Sequence, residues 1–291
     1  MARETAITDR PPLVAVAHGS RDPRAAATVN ELLSVVRSRA AERSGLDRLD
    51  VRAAFLDHCA PSLPQVLGSL AVGGSVGGSV VVVPLLLTAA YHSKTDIPAQ
   101  LAAARGATAG MLDVRCTDTL GPHPLLVAAL ERRLREAGVP VDSAADRAAT
   151  SVVLAAAGSS DPAANATITD LAAAWRRDRG WRDVVPAYAS AAAPSPAEAV
   201  RTLLRGAVEG GGVEGGGAAR VVVATYLLAP GYFADKIRAS AVAAGARAVS
   251  GALGAAPEVA DVILGRYAAA TRLRRLWQEP SYTERTVGAP Q

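Results

Sequence analysis

Residues 15–27 read AVAHGSRDPRAAA, and residues 155–166 read AAAGSSDPAANA. Both carry Gly-Ser, one variable position, Asp-Pro and then an alanine-rich run. Each is entered from an apolar stretch, LVAVA at 13–17 and VVLAA at 152–156. Short apolar runs without polar alternation suit strands buried on both faces of a parallel sheet. Asp22-Pro23 and Asp161-Pro162 then supply a helix N-cap followed by proline at the first helical position. Val29, Leu32, Leu33 and Val36 recur at i, i+3, i+4 and i+7, and Ile168, Leu171, Ala172 and Trp175 take the same positions in the second copy. The pattern predicts strand, tight turn and helix, written twice at one offset.

The correspondence runs on along the chain. AAFLDHCAPSLPQVL (53–67) matches PAYASAAAPSPAEAV (186–200) as a strand end, a loop and a Pro-Ser helix start. Glycine-rich GGSVGGS (73–79) and GGGVEGGG (210–217) precede VVVVPLLLTAAYHSKTDIP and VVVATYLLAPGYFADKIR, and TLGPHPLLVAAL (119–130) is echoed by ALGAAPEVADVI (252–263). Strands alternating with helices through connections this short imply parallel sheets of βαβ units. The expected architecture is α/β, with two similar domains at 11–143 and 148–270 divided near VDSAADRAAT (141–150), and a tail at 271–291.

Composition narrows the function classes. The 291 residues suffice for two ordinary domains, half of them are hydrophobic and a fifth charged, a globular balance. No apolar run approaches the roughly 20 residues of a membrane span, and MARETAITDRPP has no apolar core of a signal peptide. Cys59 and Cys116 are the two cysteines, too few for a disulfide framework. A cytoplasmic protein is expected, with no membrane partner. The net charge of +4 comes almost wholly from scattered arginines, Lys94 and Lys236 being the only lysines. Without a basic stripe or a reading motif, nucleic acid is not an expected partner.

The two copies differ in their chemistry. His18, His58, His92 and His123 all lie in the first half, and the aligned positions carry Ala157, Ala191, Phe233 and Ala256. Asp57 aligns with Ser190, and Arg21 with Ser160. His18, Asp57 and His92 fall just past strand ends, where open parallel sheets bind ligands. Imidazole suits divalent iron, cobalt, nickel and zinc, and a nearby carboxylate would complete an open facial site. His58 is read as orienting Asp57, His123 as part of a Pro-flanked helix start, Asp96 as a helix N-cap and Cys59 as a small packed residue. A dinucleotide fingerprint, a P-loop lysine and a GxSxG elbow are absent, which excludes three common α/β chemistries.

AHGSRDP, AFLDHCAPSL, VVVVPLLLTAAYHSKTDIP and LGPHPLL together resemble the sirohydrochlorin chelatase and small cobaltochelatase family, over residues 13 to about 270. These class II chelatases insert a divalent metal into a tetrapyrrole without ATP. The resemblance implies two flavodoxin-like domains around a central cleft, with His18 and His92 binding the metal. Asp57 stands where many relatives carry glutamate, and is expected as third ligand or proton acceptor; Ala90 stands where relatives often have glycine. Ser20, Arg21, Tyr91 and Lys94 are expected at the substrate, Arg21 and Lys94 against its peripheral carboxylates. No tightly bound cofactor is implied, the divalent metal (Fe²⁺ or Co²⁺) being a substrate beside the tetrapyrrole. The expected activity is Fe²⁺ insertion into sirohydrochlorin, giving siroheme. Cobalt insertion for a cobalamin-type corrinoid, iron insertion into another porphyrin, a non-catalytic tetrapyrrole or metal carrier, and an unrelated two-domain α/β sugar or ion binder stay open.

Overall fold

The structure is a computed structural model, and it describes residues 10–43, 46–72, 78–88, 97–107, 112–209 and 220–277. The first half builds a four-stranded sheet from β1 (Leu13–Ala17), β2 (Val51–Phe55), β3 (Ser79–Pro84) and β4 (Asp113–Cys116). Its order is β2-β1-β3-β4 with every pair parallel. The second half repeats it with β5 (Thr150–Ala156), β6 (Asp183–Tyr188), β7 (Arg220–Tyr226) and β8 (Ala248–Val249), in the order β6-β5-β7-β8. β1 and β5 are buried at every residue, as their unalternated apolar sequences require.

Helices α1 (Pro23–Ala41), α2 (Leu63–Val72), α3 (Ile97–Ala107) and α4 (Pro124–Glu136) follow the first four strands. The short α5 (Ala144–Ala148) bridges the halves inside the stretch read as the divide. Helices α6 (Pro162–Arg179), α7 (Pro196–Glu209), α8 (Tyr232–Ala243) and α9 (Pro257–Trp277) complete the repeat. Asp22 and Asp161 cap α1 and α6, each accepting from the backbone N–H two residues on, with proline in the first turn. α9 continues through Trp277, seven residues into the stretch expected as a tail from 271.

The last helix of each half packs across the repeat. α4 lies on β7 of the second sheet, while α9 lies on α1 and β3 of the first. Arg39 makes two 2.6 Å bonds to Asp261 of α9, and Arg43 adds a third at 2.7 Å. Glu131 of α4 accepts from Trp175 Nε1 at 3.0 Å and from both Nε and Nη2 of Arg179, at 2.7 and 2.8 Å, on α6. One apolar core therefore runs from Leu13 and Ala15 through Leu33, Leu130 and Ile263 to Val152 and Leu154. The outer faces of the two sheets bury separate clusters under α2 with α3, and around Ile237 of α8 and Val200 of α7. Burying each large aliphatic side chain of this inner layer contributes about 1.5–3 kcal/mol, so the halves are held as one body.

Glu131 is the one carboxylate in that seam whose residue is buried. Its three charge-assisted bonds offset its desolvation. Glu131→Leu should strand the Trp175 N–H and leave Arg179 uncompensated. A loss of about 1–3 kcal/mol is expected, and chemical denaturation against wild type measures it.

Candidate functional site

The turn after β1 is set by one close approach. Gly19 has φ +90°, and a Cβ there would lie 1.8 Å from the Asp57 carbonyl oxygen. Only glycine fits that backbone angle and that distance. The His18 carbonyl accepts from Asp57 N at 2.9 Å, and Ala17 O accepts from Leu56 N at 3.0 Å, locking the turn to the loop after β2. Ser20 Oγ accepts from Asp22 N at 3.1 Å, while its carbonyl accepts from Cys59 Sγ at 3.1 Å.

The second half reproduces the backbone bonds and the seryl turn of this frame; in place of the Cys59 bond, Ser159 O accepts from Asn165 Nδ2 at 2.7 Å. Gly158 has φ +84°, and its Cβ would lie 2.0 Å from Ser190 O. Ser190 N donates to Ala157 O at 2.9 Å, Ala189 N to Ala156 O at 2.9 Å, and Asp161 N to Ser159 Oγ at 3.1 Å. His58 and Ala191 share a left-handed backbone, φ 61° and 59°, and cis prolines follow both at Pro61 and Pro194. Ser62 with Gln65, and Ser195 with Glu198, close the same reciprocal capping box at the next helix. What the second half has lost is side-chain chemistry, not architecture.

Between these two turns lies a cavity of about 810 Å³, the size expected of a pocket for a large organic ligand. His18, Ser20, Arg21, His58 and Thr88 line its first-half side. Its second-half side carries no imidazole: Ala157, Ile168, Leu227, Tyr232 and Phe233 line it, with Ser159, Ser160 and Asn165 as its polar members. Tyr232 and Phe233 meet edge to face at 5.5 Å and stay substantially exposed, 74% and 38%. Tyr226 crosses the floor, its hydroxyl donating to Leu87 O at 3.2 Å, and burial pushes that phenol well above its ordinary pKa.

His18 is half-buried in the cavity wall, its Nδ1 3.3 Å from Gly19 O. Arg21 is exposed beside it and makes no hydrogen bond or ion pair among the described residues. Asp57 is held at the site by its backbone, but its carboxylate is 64% exposed and does not line the cavity. Asp57 Oδ1 accepts from His58 N at 2.7 Å and lies 3.4 Å from His58 Nδ1. The two residues therefore do pair, and His58 itself faces the cavity, a placement its sequence context did not signal. His92, Tyr91, Lys94 and Asp96 lie outside the described residues. Among the described residues no three His, Cys, Asp or Glu side chains are grouped to hold a metal, so His18 alone represents the expected pair.

His123 is the N-cap of α4, its Nδ1 accepting from Leu125 N at 3.1 Å. Lys236, in the segment aligned with Lys94, donates to Ala189 O at 2.6 Å and ties α8 to its own sheet. The loss of His to Ala157, Ala191 and Phe233 in the sequence marks the second side as a wall without imidazoles, and all three line the cavity.

Residues 12–137 and 151–270 both match the model of the CbiX family. The chain belongs to the CbiX family. It is 27% identical over 222 residues to the sirohydrochlorin cobaltochelatase of Priestia megaterium, covering 76% of this chain and 65% of that protein. The match thus spans a little under two thirds of that relative. SirB from Bacillus subtilis with Fe³⁺ superposes with a TM-score of 0.71 at 22% identity, over 91% of this chain and 98% of SirB. A CbiX described as the terminal enzyme for biosynthesis of siroheme in denitrifying bacteria gives 0.56 at 22% identity, over 89% and 99% of the two chains. These likenesses establish the doubly repeated fold. No described helix of the chain is long and apolar enough to cross a membrane.

Two outcomes follow from the turn and from the cap. Gly19→Ala and Gly158→Ala should each cost at least about 1–3 kcal/mol, to similar extents, because both meet a carbonyl; a calorimetric comparison tests the equivalence. For His123, burial first and the charge of Arg266 second hold the imidazole below its ordinary 6.5. The unfolded chain then takes up a proton that the folded chain resists, so stability is lost as pH falls through 6.5 toward the depressed folded value. His123→Asn keeps a capping acceptor and removes the titration. Its unfolding free energy should therefore vary less than that of wild type between about pH 7 and pH 5.

Proposed function

We propose that the protein inserts Fe²⁺ into sirohydrochlorin, giving siroheme. The observation that carries this reading is the one-sided cavity, with the imidazoles of His18 and His58 on first-half loops and a wall without imidazole or charge opposite. A flat macrocycle resting on Ala157, Ile168 and Leu227 presents its centre to His18. Family membership supports tetrapyrrole chelation, and the CbiX neighbour assigned to siroheme biosynthesis supports iron. The name of the Priestia relative favours a second reading, Co²⁺ insertion into the same macrocycle. His and carboxylate donors accept either metal.

Insertion forms metal–nitrogen bonds and releases two pyrrole protons, with no oxidation. His18 and His92 would hold the metal as neutral imidazoles and pass it to the ring, then accept or relay the protons. Holding must be loose, since a closed four-ligand site would retain the metal. Asp57 would act as third ligand or proton acceptor, with His58 steering its carboxylate. Arg21 and Lys94 would pair with peripheral carboxylates, and Ser20 and Tyr91 would complete the substrate contacts. The metal is consumed as a substrate, and no resident cofactor is required.

Anaerobic incubation with sirohydrochlorin and either Fe²⁺ or Co²⁺, followed by absorbance, tests the proposal. Wild type should accelerate the spectral change over the protein-free control, faster with Fe²⁺ at equal metal. His18→Ala should lose most of that acceleration with an unchanged denaturation midpoint, because a loop imidazole leaves no core cavity. A wild-type trace no faster than the control would favour a carrier.

A further inference from the structure

A second cavity, of about 350 Å³, lies on the seam where α4 of the first half meets the β8 edge of the second sheet. Arg133 and Glu136 of α4 line one side, and Arg238 of α8 with Arg247, just ahead of β8, line the other. None of the four lines the cavity that holds His18. Two of the guanidiniums are anchored on main-chain carbonyls. Arg133 Nε donates to Leu253 O and Arg238 Nη2 to Val249 O, each at 3.0 Å. Arg133 Nη1 also donates to Glu136 at 2.6 Å, and Gly254 leaves the guanidinium room, since a Cβ there would be 3.3 Å from Nη2. Arg133 Nη2, Arg238 Nε and Nη1, and the whole Arg247 guanidinium have no acceptor among the described residues. Three permanent positive charges thus face one carboxylate. Arginine cannot relieve that repulsion by giving up a proton.

The repeat separates what the fold needs here from what it does not. Counted from TLGPHPLL and ALGAAPEV, Arg133 aligns with Arg266 and Leu253 with Leu120. Arg266 Nη2 donates to Leu120 O at 3.3 Å, so the bond from arginine to leucine carbonyl belongs to both halves. Arg247 does not. Its counterpart is Val114, which the first half buries, whereas Arg247 is exposed and its side chain ties down no part of the described fold. We infer that Arg133, Arg238 and Arg247 form a binding site for a doubly charged phosphate group, either inorganic phosphate or a small phosphate monoester. The planar forks match the oxygens of such an anion, and charge-assisted bonds to it would use the idle N–H groups. The cavity is larger than a bare ion needs. It adjoins a further space of about 300 Å³ that shares Arg247 and Ala248 with it and adds Val139 and Pro140, a place for the organic part of an ester. This site does not rest on the chelatase reading.

Isothermal titration of the full chain with inorganic phosphate and with glycerol 3-phosphate tests the site, at constant ionic strength and about pH 8, where a phosphate monoester carries two charges. One saturable site per chain is expected, with a thermal midpoint that rises with ligand concentration. Arg247→Gln and Arg238→Gln should each weaken binding at least about 10-fold, the scale of one hydrogen bond between charged groups. Arg247→Lys should recover part of the loss, keeping the charge without the fork. Because the Arg247 side chain holds no other element, Arg247→Gln should keep the ligand-free denaturation midpoint, which separates lost binding from lost folding. Arg21→Gln, in the first cavity, should leave phosphate affinity unchanged. Tighter binding of the ester assigns the adjoining space to its organic part, and tighter binding of inorganic phosphate assigns the free ion. No saturation by either probe up to about 10 mM overturns the site, as does wild-type affinity in both Arg247→Gln and Arg238→Gln. Binding lost in Arg21→Gln and kept in Arg247→Gln moves the anion to the first cavity and overturns it as well.

Discussion

The contact of Gly19 with the Asp57 carbonyl is the constraint on which the site depends. A strand must end, reverse its backbone within two residues and start a helix whose N-terminus faces the neighbouring loop. Any side chain at Gly19 would separate that turn from the loop after β2, and the two hydrogen bonds joining them would be lost. Because His18 is next to this pivot, backbone geometry fixes where its imidazole leaves the strand. A side chain placed in this way is held by a rigid main chain, the support a functional group needs for a fixed position.

The repeat made the sheet order and the strand–turn–helix units legible, because buried parallel strands and Asp-Pro caps leave strong local marks. The exchange of α4 and α9 between halves left none. Amphipathic periodicity states which face of a helix is apolar and is silent about which sheet covers it. For the same reason the halves look like two domains in sequence while their inner faces merge into one core through Leu130, Ile263 and Trp175. His123 was legible as a helix-start residue from its flanking prolines. The pairing of His58 with Asp57 was legible as well; which of the two faces the cavity was not, since a one-residue difference in a tight loop decides it. Here the carboxylate turns outward and the imidazole inward.

The second half shows which features belong to the frame and which to the chemistry. Ala191 keeps the left-handed backbone of His58 although alanine gains nothing from it. Such a conformation costs on the order of 1 kcal/mol, and it persists where no imidazole remains to be aimed. The strain therefore serves the junction of strand, cis proline and capping box, and His58 occupies a position that the fold requires in any case. The same holds for Ser20, whose hydroxyl closes the turn as Ser159 does in the half without histidines.

The residues that break the internal symmetry are then the informative ones. His18 against Ala157 and His58 against Ala191 place the imidazoles that line the cavity on one of its faces, and Phe233 extends the apolar area of the other. Any ligand held between such walls meets imidazoles on one side and none on the other, so the two sides distinguish its faces. One backbone frame, written twice and unequally substituted, thus gives a single cavity two unlike walls.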